Sequence, residues 1–131
     1  GADTVTVKSF FANSMESRKL RGMVVMNAEM YRACAISVTD IESDDIRVVC
    51  AQAADELLSV SGVDASFVIF KTDDIINISA RSMGKVNVQL IMEALGGGGH
   101  QTMAAVQLKD ITESQIKDML KTAIDNYYSN L

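Results

Sequence analysis

The run Gly96-Gly97-Gly98-Gly99 leads directly into His100, the single histidine of the chain. Glycine weakens ordinary helices and strands, so four in a row mark a place that needs bare backbone. Successive N–H groups without side chains can converge on an anion, and His100 adds a side-chain donor at the edge of such a nest. The bland alternative is a hinge followed by a surface histidine. Arg81 and Ser82 change the balance. A guanidinium grips a phosphate through two parallel hydrogen bonds, and a hydroxyl adds another. Their ordinary roles are a solvated strand end for Arg81 and helix capping for Ser82 and Asn87, and Asn87 is assigned to capping. If the end of a strand and the loop leaving the next helix meet on one side of a sheet, Arg81, Ser82 and His100 surround the glycine run and form a phosphate pocket.

Other chemistries find little support. There is no second histidine, no Glu-x-x-His and no Cys-x-x-Cys, so the sequence has no self-contained metal motif. The Gly-x-Ser-x-Gly elbow of serine hydrolases is absent. The glycine run also lacks the Gly-Lys-Ser/Thr ending of a phosphate loop. Binding, rather than catalysis, is what these residues support.

The elements that must position them fit one domain, since 131 residues with 48% apolar content can bury a core but not two ordinary ones. Thr4 to Gly22 is expected to be a helix closing at the glycine, with Arg18, Lys19 and Arg21 on a solvated face. Tyr31 to Val38 has the character of a strand. Asp44 or Asp45 caps a helix whose Ile46, Val49, Cys50, Ala53, Ala54, Leu57 and Leu58 fall on one face. Ala65–Phe70 and Ile75–Ala80 form a hairpin turning at Asp73-Asp74, with Ile76, Ile78 and Ala80 opposite in direction to Asn77, Ser79 and Arg81. A buried helix is expected from Val86 to Leu95. Met103 to Leu108 is expected to begin as a helical turn leading into a last strand. Thr112 and Gln115 match a capping box ahead of a closing amphipathic helix. Together these elements predict an α/β fold with a mixed β-sheet packed with helices.

The net charge of −5 and pI near 4.7 argue against a broad surface for long nucleic acid, whereas a small anion needs only local positive charge. Cys34 and Cys50, in apolar surroundings, are expected to be free buried thiols, which favours the cytoplasmic side. No apolar run approaches the roughly 18 to 20 residues that cross a bilayer. The opening Gly1-Ala2-Asp3 lacks an initiator methionine and suggests a piece of a longer protein, one that upstream segments could anchor to a membrane.

Ile78-Ser79-Ala80-Arg81-Ser82, Asn87-Val88-Gln89 and Leu95-Gly96-Gly97-Gly98-Gly99-His100 together resemble the DHH phosphoesterase superfamily, and within it the C-terminal DHH-associated domain. Ile91 to Leu95 before the loop, and the spacing from His100 to Ala104-Ala105, are similar to GdpP-type cyclic-di-AMP phosphodiesterases; Val106 stands where many relatives have glycine. The resemblance implies a division of labour. A catalytic lobe with an Asp-His-His motif, absent from this chain, would bind two manganese ions. This chain would be the substrate-binding half, residues 23–131, joined through a linker helix at 1–22, and would not hydrolyse anything alone. By resemblance Arg81 and His100 would contact phosphate with Ser82 beside them, and Gly97, Gly98 and Gly99 the sugar-phosphate backbone. Thr102, Met103 and Ala104 would line the base pocket. The implied partners are cyclic di-AMP, its linear product pApA and the linked catalytic lobe, with a homodimer left open. A non-catalytic nucleotide- or RNA-binding module and a purely structural, dimerising domain are the competing readings.

Overall fold

A computed structural model describes residues 2–131; Gly1, the first residue of the expected junction, lies outside them. In chain order the elements are α1 (Ala2–Met26), β1 (Glu29–Tyr31), β2 (Cys34–Val38), α2 (Ile46–Leu57), β3 (Ala65–Thr72), β4 (Ile75–Ser82), α3 (Val88–Ala94), β5 (Gly98–Gly99), β6 (Met103–Lys109) and α4 (Glu113–Ser129). The six strands make one mixed sheet in the order β1-β2-β3-β4-β6-β5. β2 and β3 run parallel across the α2 crossover, and the remaining neighbours are antiparallel.

Period-two alternation sends the strands' side chains into two separate cores. Phe67, Ile69, Ile76, Ile78, Ala80, Ala104 and Val106 face α3 and α4, where they meet Ile91, Met92, Ile116, Leu120 and Ile124. Ala35, Val68 and Phe70 face the other way, against Val24 of α1 and Val49, Cys50, Ala53 and Leu57 of α2. The result is a helix–sheet–helix sandwich, and the expected α/β fold with a mixed sheet is what the chain adopts.

Local signals explain several boundaries. Thr112 Oγ1 accepts from the Gln115 N–H at 3.0 Å while Gln115 returns a bond to the Thr112 N–H at 2.9 Å, so the capping box is complete. Asn87 Oδ1 accepts from the Leu90 N–H at 3.3 Å, the capping role assigned to it. Asp73 takes a positive φ of 52° in the β3–β4 turn, a conformation that Asp tolerates better than most residues.

Four expectations need correction. α1 does not close at Gly22 but runs on to Met26, because its last turns are held by packing: Val24 is fully buried and Leu20 and Val25 lie against the same core. The Tyr31–Val38 segment is two strands, broken at Arg32, which adopts φ 53° in the turn. The helix expected from Val86 begins at Val88, behind the Asn87 cap. Met103–Lys109 is strand from its first residue, with no helical turn. Its residues alternate, Ala104 and Val106 buried, Met103, Ala105 and Gln107 exposed. On the side of the sheet that α1 and α2 cover elsewhere, Met103, Ala105 and Gln107 of β6 are exposed, so this end of the sheet is open there.

Candidate functional site

The glycine loop is built by backbone packing before any ligand is considered. α3 ends with the Gly96 N–H donating to the Glu93 carbonyl at 3.0 Å and the Gly97 N–H to the Met92 carbonyl at 2.8 Å, and Gly96 takes a φ of 93°. The chain then lies so close to β6 that a Cβ on Gly97 would fall 2.2 Å from the Ala105 carbonyl oxygen, and one on Gly99 would fall 2.5 Å from that of Met103. Gly98 differs, with open space where a side chain would go. Three of the loop's amides are spent on backbone partners rather than on the convergent nest expected here. The N–H groups of Gly96 and Gly97 finish the helix, and that of His100 donates to the Met103 carbonyl at 2.6 Å.

What the loop does provide is register. His100 and Met103 exchange backbone hydrogen bonds on either side of Gln101-Thr102, the return bond measuring 3.3 Å, which closes a two-residue hairpin turn. Met103 in turn pairs with Arg81 on β4. His100, Met103 and Arg81 therefore form one row across the end of the sheet, spanning two strand spacings or roughly 10 Å. On this row α2 covers Arg81, while beyond it Met103 is 51% exposed and His100 is exposed. The register sets Arg81 and His100, distant in sequence, on one row of the sheet.

Arg81 does not emerge as a free strand end. Its side chain is only 12% exposed beneath α2, with Nε 3.3 Å from Oδ1 of Asp55 and Nη1 donating to the Ala80 carbonyl at 2.9 Å. Nε has no exposed surface, and although it lies at ion-pair distance from Asp55, the two are not aligned for a hydrogen bond. A guanidinium carries five N–H donors, so this cation retains hydrogen-bonding capacity that the described residues do not use. Asp55, a residue the sequence did not single out, is its counter-ion.

The other expected residues divide. Ser82 is 5% exposed, and its hydroxyl donates to the Val86 carbonyl at 2.6 Å and accepts from the Gly84 N–H at 3.3 Å, so it shapes the turn after β4. Thr102 is exposed, and its carbonyl accepts from the Ser82 N–H at 3.0 Å. Ala104 is 3% exposed and its methyl belongs to the α3/α4 core, on the opposite side of the sheet from Arg81 and Met103, which removes its side chain from any pocket beside them. Ala105 and Gln107 share the open side instead; a strict period of two through β6 would have revealed both.

Elsewhere the chemistry is structural or of the wrong sign. A surface cavity of about 1040 Å³ at the far end of β4 is lined by Asp40, Glu42, Asp44, Asp73 and Glu113, which outnumber its two cations, Arg47 and Lys71, and make it net negative toward a phosphate. Tyr31 and Arg32 both bond Asp125, at 2.6 and 2.7 Å, pinning the β1–β2 hairpin to α4 and holding the Asp125 carboxyl below its usual range. Cys34 and Cys50 are free and buried, and burial pushes their thiols up to about 11 and about 12. No helix among the described residues is long and apolar enough to cross a membrane.

The DHHA1 domain family matches residues 31–129. The cyclic-di-AMP phosphodiesterase PdeA of Listeria monocytogenes is 45% identical over 98% of this chain and 20% of its own length. The cyclic-di-AMP phosphodiesterase GdpP of Bacillus subtilis is 46% identical, again over 98% of the chain and 20% of its own length. The chain thus spans about a fifth of these relatives. Among solved structures, an exopolyphosphatase-related protein from Bacteroides fragilis superposes with a TM-score of 0.71 at 23% identity, over 85% of this chain and 34% of that one. RecJ from Thermus thermophilus gives 0.67 at 13% identity, over 95% and 20%, and shares the fold. With the family matched across most of its length and near relatives aligned end to end, the chain belongs to the DHHA1 domain family, in the form found in cyclic-di-AMP phosphodiesterases.

Proposed function

We propose that the chain is the nucleotide-binding lobe of a manganese-dependent phosphodiesterase that opens cyclic di-AMP to linear pApA. The observation that carries this reading is the Arg81–Met103–His100 row on the open side of the sheet, with a nearly buried guanidinium at one end and an exposed imidazole at the other. A phosphate set between them receives N–H donors from both, and Met103 offers apolar surface beside it. Holding the phosphodiester in this way supplies orientation, which is the contribution a binding lobe makes to attack by a metal-bound hydroxide.

Among the described residues there is no group of three or more His, Cys, Asp or Glu side chains that could hold a metal ion. The ions and the Asp-His-His motif are assigned to a separate lobe of a longer, membrane-anchored parent acting on the cytoplasmic side. α1 serves as the connection to that lobe; Val7, Phe10, Phe11 and Met15 on its first half are exposed and outside both cores.

Calorimetric titration of the chain with cyclic di-AMP, pApA and a short RNA tests the assignment. The two dinucleotide species are expected to bind and the RNA to bind more weakly, in keeping with the acidic charge. Replacing His100 or Arg81 by Ala should weaken dinucleotide binding by about 1.5 to 3 kcal/mol, the worth of a charged hydrogen bond. Preference for RNA would replace the phosphodiesterase reading with an RNA-binding one, and unchanged affinity in both variants would remove the row from the site.

A further inference from the structure

The geometry points to Gln107 as the residue that reads the edge of the nucleobase; this inference rests on the nucleotide-binding assignment above and deepens it. Three successive rows cross β4, β6 and β5 on the open side of the sheet. The first is Arg81–Met103–His100. The second, two residues further along β6, is Ser79–Ala105–Gly98. The third contains Asn77 and Gln107.

The middle row is low. Ala105 is exposed, and the position of a Cβ on Gly98 has nothing within 4 Å of it. A planar ring linked to a phosphate at the first row can lie across this floor without displacing protein. Beyond it, Gln107 is four residues along β6 from Met103, roughly 13 Å at the rise of an antiparallel strand. A glutamine side chain is long enough to reach back across part of that span, toward where the far edge of a nucleotide's base falls.

The chemistry of the two amides in the third row separates a structural role from a recognition one. Asn77 is 2% exposed and committed, donating to Thr72 Oγ1 at 2.8 Å and to the Phe70 carbonyl at 3.4 Å while accepting from Arg47 at 3.3 Å. Gln107, its partner across the ladder, is exposed and its side-chain amide bonds no described residue. An uncommitted amide presents one donor and one acceptor side by side, which pairs with the N6/N7 edge of adenine, whereas the corresponding O6/N7 edge of guanine offers two acceptors.

The test compares affinities of the chain for cyclic di-AMP and cyclic di-GMP in wild type, Gln107→Ala and Gln107→Arg, with folding of each variant checked by circular dichroism. Wild type is expected to prefer the adenine dinucleotide. Gln107→Ala should shrink that preference by roughly 5- to 100-fold, the discrimination one bidentate contact gives, and Gln107→Arg should turn it toward guanine. Equal affinity of wild type for the two dinucleotides, or a preference unchanged in both variants, overturns the role of Gln107 while leaving nucleotide binding intact. No binding of either dinucleotide by wild type overturns the nucleotide reading itself, and this inference with it.

Discussion

Replacing Gly97 by Ala tests whether the glycine run exists for packing. The added methyl would meet the Ala105 carbonyl oxygen at 2.2 Å and the Val106 Cβ at 2.6 Å, well inside van der Waals contact. Neither obstacle can rotate away, because one is backbone of β6 and the other is the first atom of a buried side chain. Gly97 cannot retreat either, since its N–H is bonded to Met92 at 2.8 Å. The strain falls on the β5–β6 contact and on the end of α3, and overpacking of this kind costs about 1 to 3 kcal/mol. For a domain of this size each kcal/mol lowers Tm by roughly 3 to 6 °C, so a fall of about 3 to 18 °C is expected by differential scanning calorimetry. Urea unfolding should show a lower midpoint at unchanged slope. Gly98→Ala is the control: it meets nothing within 4 Å and should stay within about 0.5 kcal/mol of wild type. Gly97→Ala as stable as Gly98→Ala would refute the packing account of the run.

Two further outcomes follow from the groups that hold the domain together. Asp125 is bonded by Tyr31 and Arg32 and its folded pKa lies below the ordinary 3.8, so its contribution to stability is complete above that value and fades as pH falls through the lower folded one. Asp125→Asn should therefore lower Tm at neutral pH, and scans at descending pH should show the gap from wild type closing only below about pH 4; a gap independent of pH would exclude the charged pair as its source. Cys34 and Cys50 are buried with thiols raised to about 11 and about 12, so alkylation at pH 8 should track unfolding. Rapid labelling of the folded chain would contradict their burial.

Features encoded within a few residues were legible in the sequence. The Thr112 capping box, the Asp73-Asp74 hairpin and the Asn87 cap each depend on a side chain and a backbone group close by. β6 was obscured because Met103 and Ala105, on its open side, are apolar and favour helix on their own; pairing with β4 on one side and β5 on the other imposes the strand. The same apolar signal obscured the exposed position of Gln107. Arg81 and His100 stand out in the sequence because a guanidinium and a histidine beside a glycine run are chemically conspicuous, whereas the register that sets them on one row exists only in the folded sheet. The amide nest was inferred from glycine's freedom, but in Gly97 and Gly99 what matters is the missing Cβ against β6. Asp55, a carboxylate on a helix face, had no local mark at all.

The shortness of the outermost strands bears on how the domain behaves beside other polypeptides. At one margin of the sheet stand three residues, Glu29–Tyr31, and at the other only the pair Gly98–Gly99. Neither offers the long ladder of unpaired amides on which a stray segment could zip up. Such blunt margins give little purchase for sheet growth even at high local concentration, and the accessible part of the sheet is its broad side rather than its rim.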